Sequence, residues 1–271
     1  MSLIEPGHLF SQHSLRTYQR CPRRFLLRYV DRQPWPAPER EDAAAYAAHL
    51  EAGRVFHEWV ARALMGIRSV GHDLSLHPDL ETWWTAWQSF DLRALPDHLR
   101  EVELPLVVPL GDYRLYARFD LLACGTAGDA VIIDWKTLGT VPRLETMRRA
   151  LQTRVYLYAL VAAGSVITAG APLEPERVSM LYWFASGPSQ MVLDYSRALH
   201  RENYESLLRL AESIAHAARE EMVRTDDVRE CEGCAYRTLC ERETAVGQDS
   251  GQGWLDEDLE FSLEEVPEVD F

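Results

Sequence analysis

Apolar positions recur every three to four residues over the first third of the chain and every second residue over the stretch that follows. The chain therefore predicts helices first and strands after them. Leu15, Tyr18, Phe25, Leu26 and Tyr29 form the apolar side of a helix that Ser11 or Ser14 can cap and that reaches about Val30. Cys21-Pro22 falls inside it, and a proline there removes a donor and clashes one turn back, which predicts a kink or a break. Gln33-Pro34-Trp35-Pro36-Ala37-Pro38 reads as a stiff connector. Further helices are predicted at about Glu41–Met65 and Pro78–Phe90, the latter carrying Trp83, Trp84 and Trp87. The period changes to two at Glu101. Strands are predicted from Glu101, over Tyr113–Ala123 and at Ala130, joined by turns at Gly111-Asp112 and Gly125–Asp129 as an antiparallel meander. A helix at about Arg143–Ala163, strands at Arg177–Phe184 and Gln190–Asp194, and a long helix from Ser196 to about Met222 complete the pattern. Strands between helices predict an α/β fold.

The chain of 271 residues has room for one large domain or two small ones. It contains no apolar run of 18 residues, and its first residues lack the basic and apolar regions of a signal peptide. A soluble, cytoplasmic protein without a membrane partner is expected, with five cysteines in a reducing compartment. The net charge of −14 argues against a nucleic-acid partner until it is located. Ten acidic residues and no basic one follow Arg242, so residues 1–242 hold 28 basic against 32 acidic side chains. The expected organisation is a domain over residues 1–242, with basic clusters such as Arg20, Arg23, Arg24, Arg28 and Arg32, and an acidic, flexible tail over residues 243–271.

Candidate chemistry concentrates in Ala130-Val131-Ile132-Ile133-Asp134-Trp135-Lys136-Thr137. Alternation along a strand places Asp134 and Lys136 on one face and Trp135 on the other. Lys136 is the single lysine beside 27 arginines. Arginine is a wide, permanent cation, whereas lysine is a compact point charge, so this position can demand an amine that the others do not. No glycine precedes Lys136, which excludes a Walker A phosphate loop.

Asp120 stands at the end of the preceding strand, and two carboxylates brought together near a backbone carbonyl make a hard-oxygen site for Mg²⁺ or Mn²⁺. Lys136 beside such a site can orient a water or stabilise developing negative charge. His57 lies on a predicted helix; an imidazole in the coordination sphere would tilt the choice toward Mn²⁺. Gln152 and Tyr156, four apart, share one face of the helix after the lysine strand. Taken in order, Gly53-x-x-x-His57, Asp120, Asp134-x-Lys136 and Gln152-x-x-x-Tyr156 resemble the PD-(D/E)XK nuclease superfamily, and within it the RecB-type branch. The resemblance implies a restriction-endonuclease-like core, with a mixed central sheet flanked by helices. It makes His57, Asp120, Asp134 and the backbone carbonyl of Trp135 metal ligands, and Lys136 the catalytic lysine, acting with Asp120 and Asp134. It makes Gln152 and Tyr156 the DNA-side pair. Glu103 sits where many members of that branch place an acidic residue on the first strand. No second acidic residue stands at 135 or 136, so the number of metals stays open.

Cys231, Cys234 and Cys240 have the spacing C-x₂-C-x₅-C, with Cys21 far upstream and Cys124 left over. Spacing alone admits structural Zn²⁺ or a [4Fe–4S] cluster on Cys21, Cys231, Cys234 and Cys240. The layout resembles iron–sulfur nucleases of the same branch: the CRISPR-associated single-strand exonuclease and the AddB-type subunit of a helicase–nuclease. It implies a cluster that joins the N-terminal helices to the C-terminal cysteine segment. The expected activity is hydrolysis of DNA phosphodiester bonds, foremost exonuclease action on single strands in repair or mobile-element defence. The alternatives are trimming of DNA for CRISPR adaptation and a non-catalytic scaffold role. A helicase, a single-strand-binding protein or a CRISPR-adaptation protein is the expected partner besides DNA. The tip Glu264–Phe271 has the acidic, terminal-Phe character of a partner-docking tail.

Overall fold

A computed structural model describes residues 3–34, 41–67, 78–137, 140–187, 189–231 and 234–241, with only the backbone of 41–47. The connector from Trp35 onward and the acidic tail lie outside the described residues. The elements are β1 (Leu9–Ser11), α1 (Gln12–Arg20), α2 (Pro22–Phe25), α3 (Glu41–Leu64), α4 (Leu80–Gln88), β2 (Leu99–Leu110), β3 (Tyr113–Cys124), β4 (Ala130–Lys136), α5 (Leu144–Arg149), α6 (Leu151–Ala162), α7 (Gly164–Ile167), β5 (Val178–Phe184), β6 (Ser189–Asp194) and α8 (Arg197–His216). The strands form one mixed sheet in the order β1-β3-β4-β5-β6, with β2 also paired to β3. β2–β3–β4 is the expected antiparallel meander; β4 and β5 run parallel across a crossover through α5–α7, and β6 returns antiparallel. The two-residue β2–β3 turn needs its glycine twice over. Gly111 has φ +60°, and a Cβ there would sit 2.6 Å from Leu208 of α8.

Each face of the sheet has its own core. Leu15, Phe25, Ile132, Tyr156, Tyr182, Phe184 and Leu207 pack one face against α1, α6 and α8. On the other, Ile133, Trp135 and Trp183 meet Phe56, Trp59 and Val60 of α3 and Trp83 and Trp87 of α4. Trp135 and its neighbour Ile132 thus fall in opposite cores, as strand alternation requires.

The regularity fails at one place. Val102 faces the α3–α4 core, whereas Leu104 and Leu106 face the other, although residues two apart on a strand share a face. Glu103 between them has φ +51°, a left-handed conformation that turns the backbone over. On β3 the same reversal separates Phe119 from Leu121. The ladder pairs Val102 with Leu121 and Leu104 with Phe119 but skips Glu103 and Asp120. β3 is also divided along its other edge. Leu121–Cys124 pair with β4, Arg114–Tyr116 pair with β1, and Ala117–Asp120 pair with neither. The sheet therefore forks at Asp120.

Four boundaries depart from expectation. Asp120 lies inside β3, four residues before its end. The helix predicted over Arg143–Ala163 is two helices, because Ala150 is extended (ψ 138°). α8 stops at His216 rather than near Met222. β1 and α7 were not expected; three or four residues are too few to show a period. The break at Cys21-Pro22 is present, with Cys21 extended and Pro22 in the first turn of α2, where its missing N–H costs nothing.

Candidate active site

The fork gathers side chains from both helical layers. Asp120 Oδ2 accepts the backbone N–H of Trp135 at 2.8 Å, so a carboxylate holds β4 where strand pairing has ended. From the α3 side, His57 Nδ1 approaches the same oxygen at 3.3 Å. Glu103, turned over by its left-handed backbone, completes an acidic pocket and is braced by Arg118 Nε at 3.2 Å. Among the described residues, His57, Glu103 and Asp120 alone bring three ligand atoms within 4.8 Å of one another. The 3.3 Å separation of His57 and Asp120 is near the roughly 3 Å edge of an octahedron with bonds of about 2.1 Å. A hard divalent cation fits this donor set.

From the opposite layer, Gln152 in the first turn of α6 links the other two motif residues. Its Nε2 donates to Asp134 Oδ1 at 2.8 Å, and its Oε1 accepts from Lys136 Nζ at 2.7 Å. Lys136 Nζ is 2.9 Å from Asp134 Oδ2. These three groups are buried, whereas Glu103, His57 and Asp120 remain partly open. The break at Ala150 produces this arrangement: it starts a new helix at Leu151 and so places Gln152 beside the end of β4.

The two sets differ electrically. Burial and the Asp120 charge push Glu103 up to about 7. Burial also raises Asp134, to about 6, despite the Lys136 ammonium beside it. Burial would raise Asp120 as well, but His57 and the Trp135 N–H hold it below the usual carboxylate range. Burial alone would lower His57; Asp120, Asp134 and Glu103 together raise it. Carboxylates crowded to this degree are short of positive charge, which is what a divalent cation would supply.

Of the residues singled out from sequence, His57, Asp120, Asp134, Lys136 and Gln152 meet at the fork. Glu103, rather than Asp134, joins His57 and Asp120 in the close trio. The Trp135 N–H is its described backbone contact in the site. Tyr156 is buried with its ring 5.1 Å from Phe119, inside the core. Arg118 and Tyr182, whose ring centroid is 5.7 Å from Lys136 Nζ, carried no signal in the sequence, since each occupies an ordinary strand position.

A second polar centre joins the chain's ends. Cys21 is buried at the α1–α2 break, while Cys231, Cys234 and Cys240 lie in short turns. Burial pushes up the Cys234 and Cys240 thiols, and each also feels Cys21 and Cys231. Arg219 Nη2 lies 2.7 Å from both oxygens of Asp31, Tyr236 donates to the Gln33 carbonyl at 3.2 Å, and the Arg23 N–H donates to the Val223 carbonyl at 3.1 Å. Cys124 is buried away from them, in the sheet core.

A family model for the PD-(D/E)XK nuclease superfamily matches residues 9–241. Among solved structures, the chain is similar to a "Putative exonuclease" from Eubacterium rectale, with TM-score 0.54 and 8% identity over 89% of this chain and 91% of that one. It is also similar to the protein SSO0001, with TM-score 0.46 and 15% identity over 88% of each chain. At such identities the likeness is one of fold. No curated protein sequence matches. No described helix is long and apolar enough to cross a membrane.

Proposed function

Because the chain belongs to the PD-(D/E)XK nuclease superfamily, whose members use divalent metals to hydrolyse phosphodiester bonds, we propose that it is a Mg²⁺- or Mn²⁺-dependent deoxyribonuclease acting at the β3–β4 fork. The observation that carries this is the meeting, at one break in the sheet, of an open His57–Glu103–Asp120 trio and a buried Asp134–Lys136–Gln152 network. His57, Glu103 and Asp120 would hold the cation, with Asp134 and the Trp135 carbonyl adjoining. The bound metal supplies polarisation of a phosphoryl oxygen and a water acidified toward neutral pH. Lys136 sets a compact positive charge where negative charge builds on the phosphate. Asp134 and Gln152 hold that charge in place, and His57 with the Trp135 N–H keeps Asp120 ionised.

Single-stranded DNA is the preferred substrate, attacked from an end. Asp134 and Lys136 are recessed between two helical layers, and one flexible strand reaches such groups where a rigid duplex is held off. The order of motifs and the four cysteines support membership of the RecB-type branch, with a [4Fe–4S] cluster on Cys21, Cys231, Cys234 and Cys240. The mutual influence of the thiols supports a shared centre.

Mn²⁺-dependent loss of end-labelled single-stranded DNA, compared between the wild type and Lys136→Ala, tests the activity. Equal degradation by both would defeat the assignment of Lys136, and no degradation by the wild type would defeat the enzyme reading. Protein purified without oxygen should be brown, with iron exceeding zinc; a colourless protein with stoichiometric zinc would overturn the cluster.

A further inference from the structure

The chain spends its one lysine at a place where its surroundings are unusually complete. The ammonium donates to Gln152 Oε1 at 2.7 Å, lies 2.9 Å from Asp134 Oδ2, and stands 5.7 Å from the centre of the Tyr182 ring. An ammonium within about 6 Å of a ring centre is attracted by the ring's negative face. Tyr182 is wholly enclosed (0% exposed), so no DNA strand touches it. Its ring is fixed at the far end. Thr153 Oγ1 donates to the Met147 carbonyl at 2.5 Å, so its proton is engaged, and the Tyr182 hydroxyl, 2.7 Å away, is the donor to Thr153. Gln152 and Thr153 are consecutive in the first turn of α6. One turn of helix, started by the break at Ala150, therefore sets both the amide that caps the lysine and the anchor of the ring beside it.

We infer that Tyr182 and Gln152 are positioning residues for Lys136. They fix the ammonium toward the reacting phosphate and do not contact substrate themselves. The inference rests on the proposed nuclease activity, and it departs from the expectation that Gln152 faces DNA. A Gln can do this where Glu or Met cannot, since one amide must donate to a carboxylate and accept from an ammonium at once. The ring contributes through its charge distribution. Phenylalanine keeps that distribution and loses only the bond to Thr153, whereas a perfluorinated ring of the same shape reverses it.

The single lysine makes the test selective, because ¹⁵N-lysine labelling yields one side-chain signal. In the metal-free wild type, that Nζ signal should be sharp and slow to exchange. With pentafluorophenylalanine at 182, or in Gln152→Met, it should broaden beyond detection. In the Mn²⁺-loaded enzyme, these two variants should lose about ten- to a hundredfold in kcat with KM held within about threefold, the pattern of a displaced catalytic group. Tyr182→Phe, which keeps the ring's negative face but loses its anchor on Thr153, should lose less kcat than either of them. An unchanged Nζ signal in the two disruptive variants overturns the inference, as does a loss carried by KM. If the wild type cleaves no DNA, the labelling arm still decides whether the cradle exists, while the nuclease reading alone falls.

Discussion

The fork and the cysteine clasp are both places where distant parts of the chain meet, and they are held together in opposite ways. At the fork, each motif side chain is positioned by another group of the site: Asp120 by the Trp135 backbone N–H, Lys136 by Gln152, and Gln152 by Asp134. At the clasp, the thiols are surrounded by contacts that do not involve them, such as Arg219 with Asp31 and Tyr236 with Gln33. The fork is organised before any ligand arrives, because sheet geometry fixes its parts. The clasp has polar contacts to bring its cysteines close, and the proposed cluster would complete it. Loss of function without loss of fold is the expected failure of the first, and loss of fold that of the second.

The largest effect should come from the lysine. Lys136→Ala is expected to lower single-turnover cleavage by a thousandfold or more, and Lys136→Arg to do nearly as badly, because a wide planar fork does not fit where a point charge sits. Both should stay folded and, if the clasp holds iron–sulfur, keep its colour. Cys21→Ser should do the reverse: it should bleach the protein and lower the melting temperature by several degrees or more, on the scale of losing a crosslink worth about 2–4 kcal/mol. If a bleached protein keeps its melting point, the comparison fails at the clasp.

Within the fork, Glu103→Asn separates backbone from charge. Asparagine tolerates the left-handed conformation, so metal-free stability should hold or rise, while Mn²⁺ affinity measured calorimetrically should fall by about tenfold. A smaller effect is expected from pH. Glu103 and Asp134, at about 7 and about 6, lie above their ordinary values of 4.5 and 3.8, so the folded state keeps protons that the unfolded chain releases. His57, also raised, stabilises below 6.5 and loses that contribution as pH climbs through its folded value. Asp120 opposes them, stabilising above 3.8. Metal-free melting temperature should therefore fall from about pH 5 to pH 8, and saturating Mn²⁺ should flatten or reverse the trend. A metal-free curve that rises over this range would contradict the crowding at the fork. The smallest effect belongs to the clasp's surface pair. Arg219→Ala, with Arg219 half exposed, should cost no more than about 1 kcal/mol by chemical denaturation.

Much of this was legible in the sequence because it follows from period and local chemistry. Alternation put Asp134 and Lys136 on one face, Pro22 broke the first helix, and Gly111-Asp112 made the hairpin. What was illegible depends on distant partners. Glu103 has no composition cue for a positive φ; it is turned over because the hairpin changes cores there, and the partner layer α3–α4 lies elsewhere in the chain. The Ala150 break has neither proline nor glycine, and its carbonyl partner is satisfied by Thr153 three residues on. Tyr182 reads as one more aromatic on a buried strand until the lysine is placed beside it.

The parallel pairing of β1 with β3 joins Leu9 to Arg114, and the clasp joins Gln33 to Tyr236. Contacts across such spans must await a distant partner, and they make assembly slow. On the ribosome, the strand that borders the catalytic gap stays unpartnered until β3 has emerged, and the helices that follow it stay unclasped until the last cysteines have.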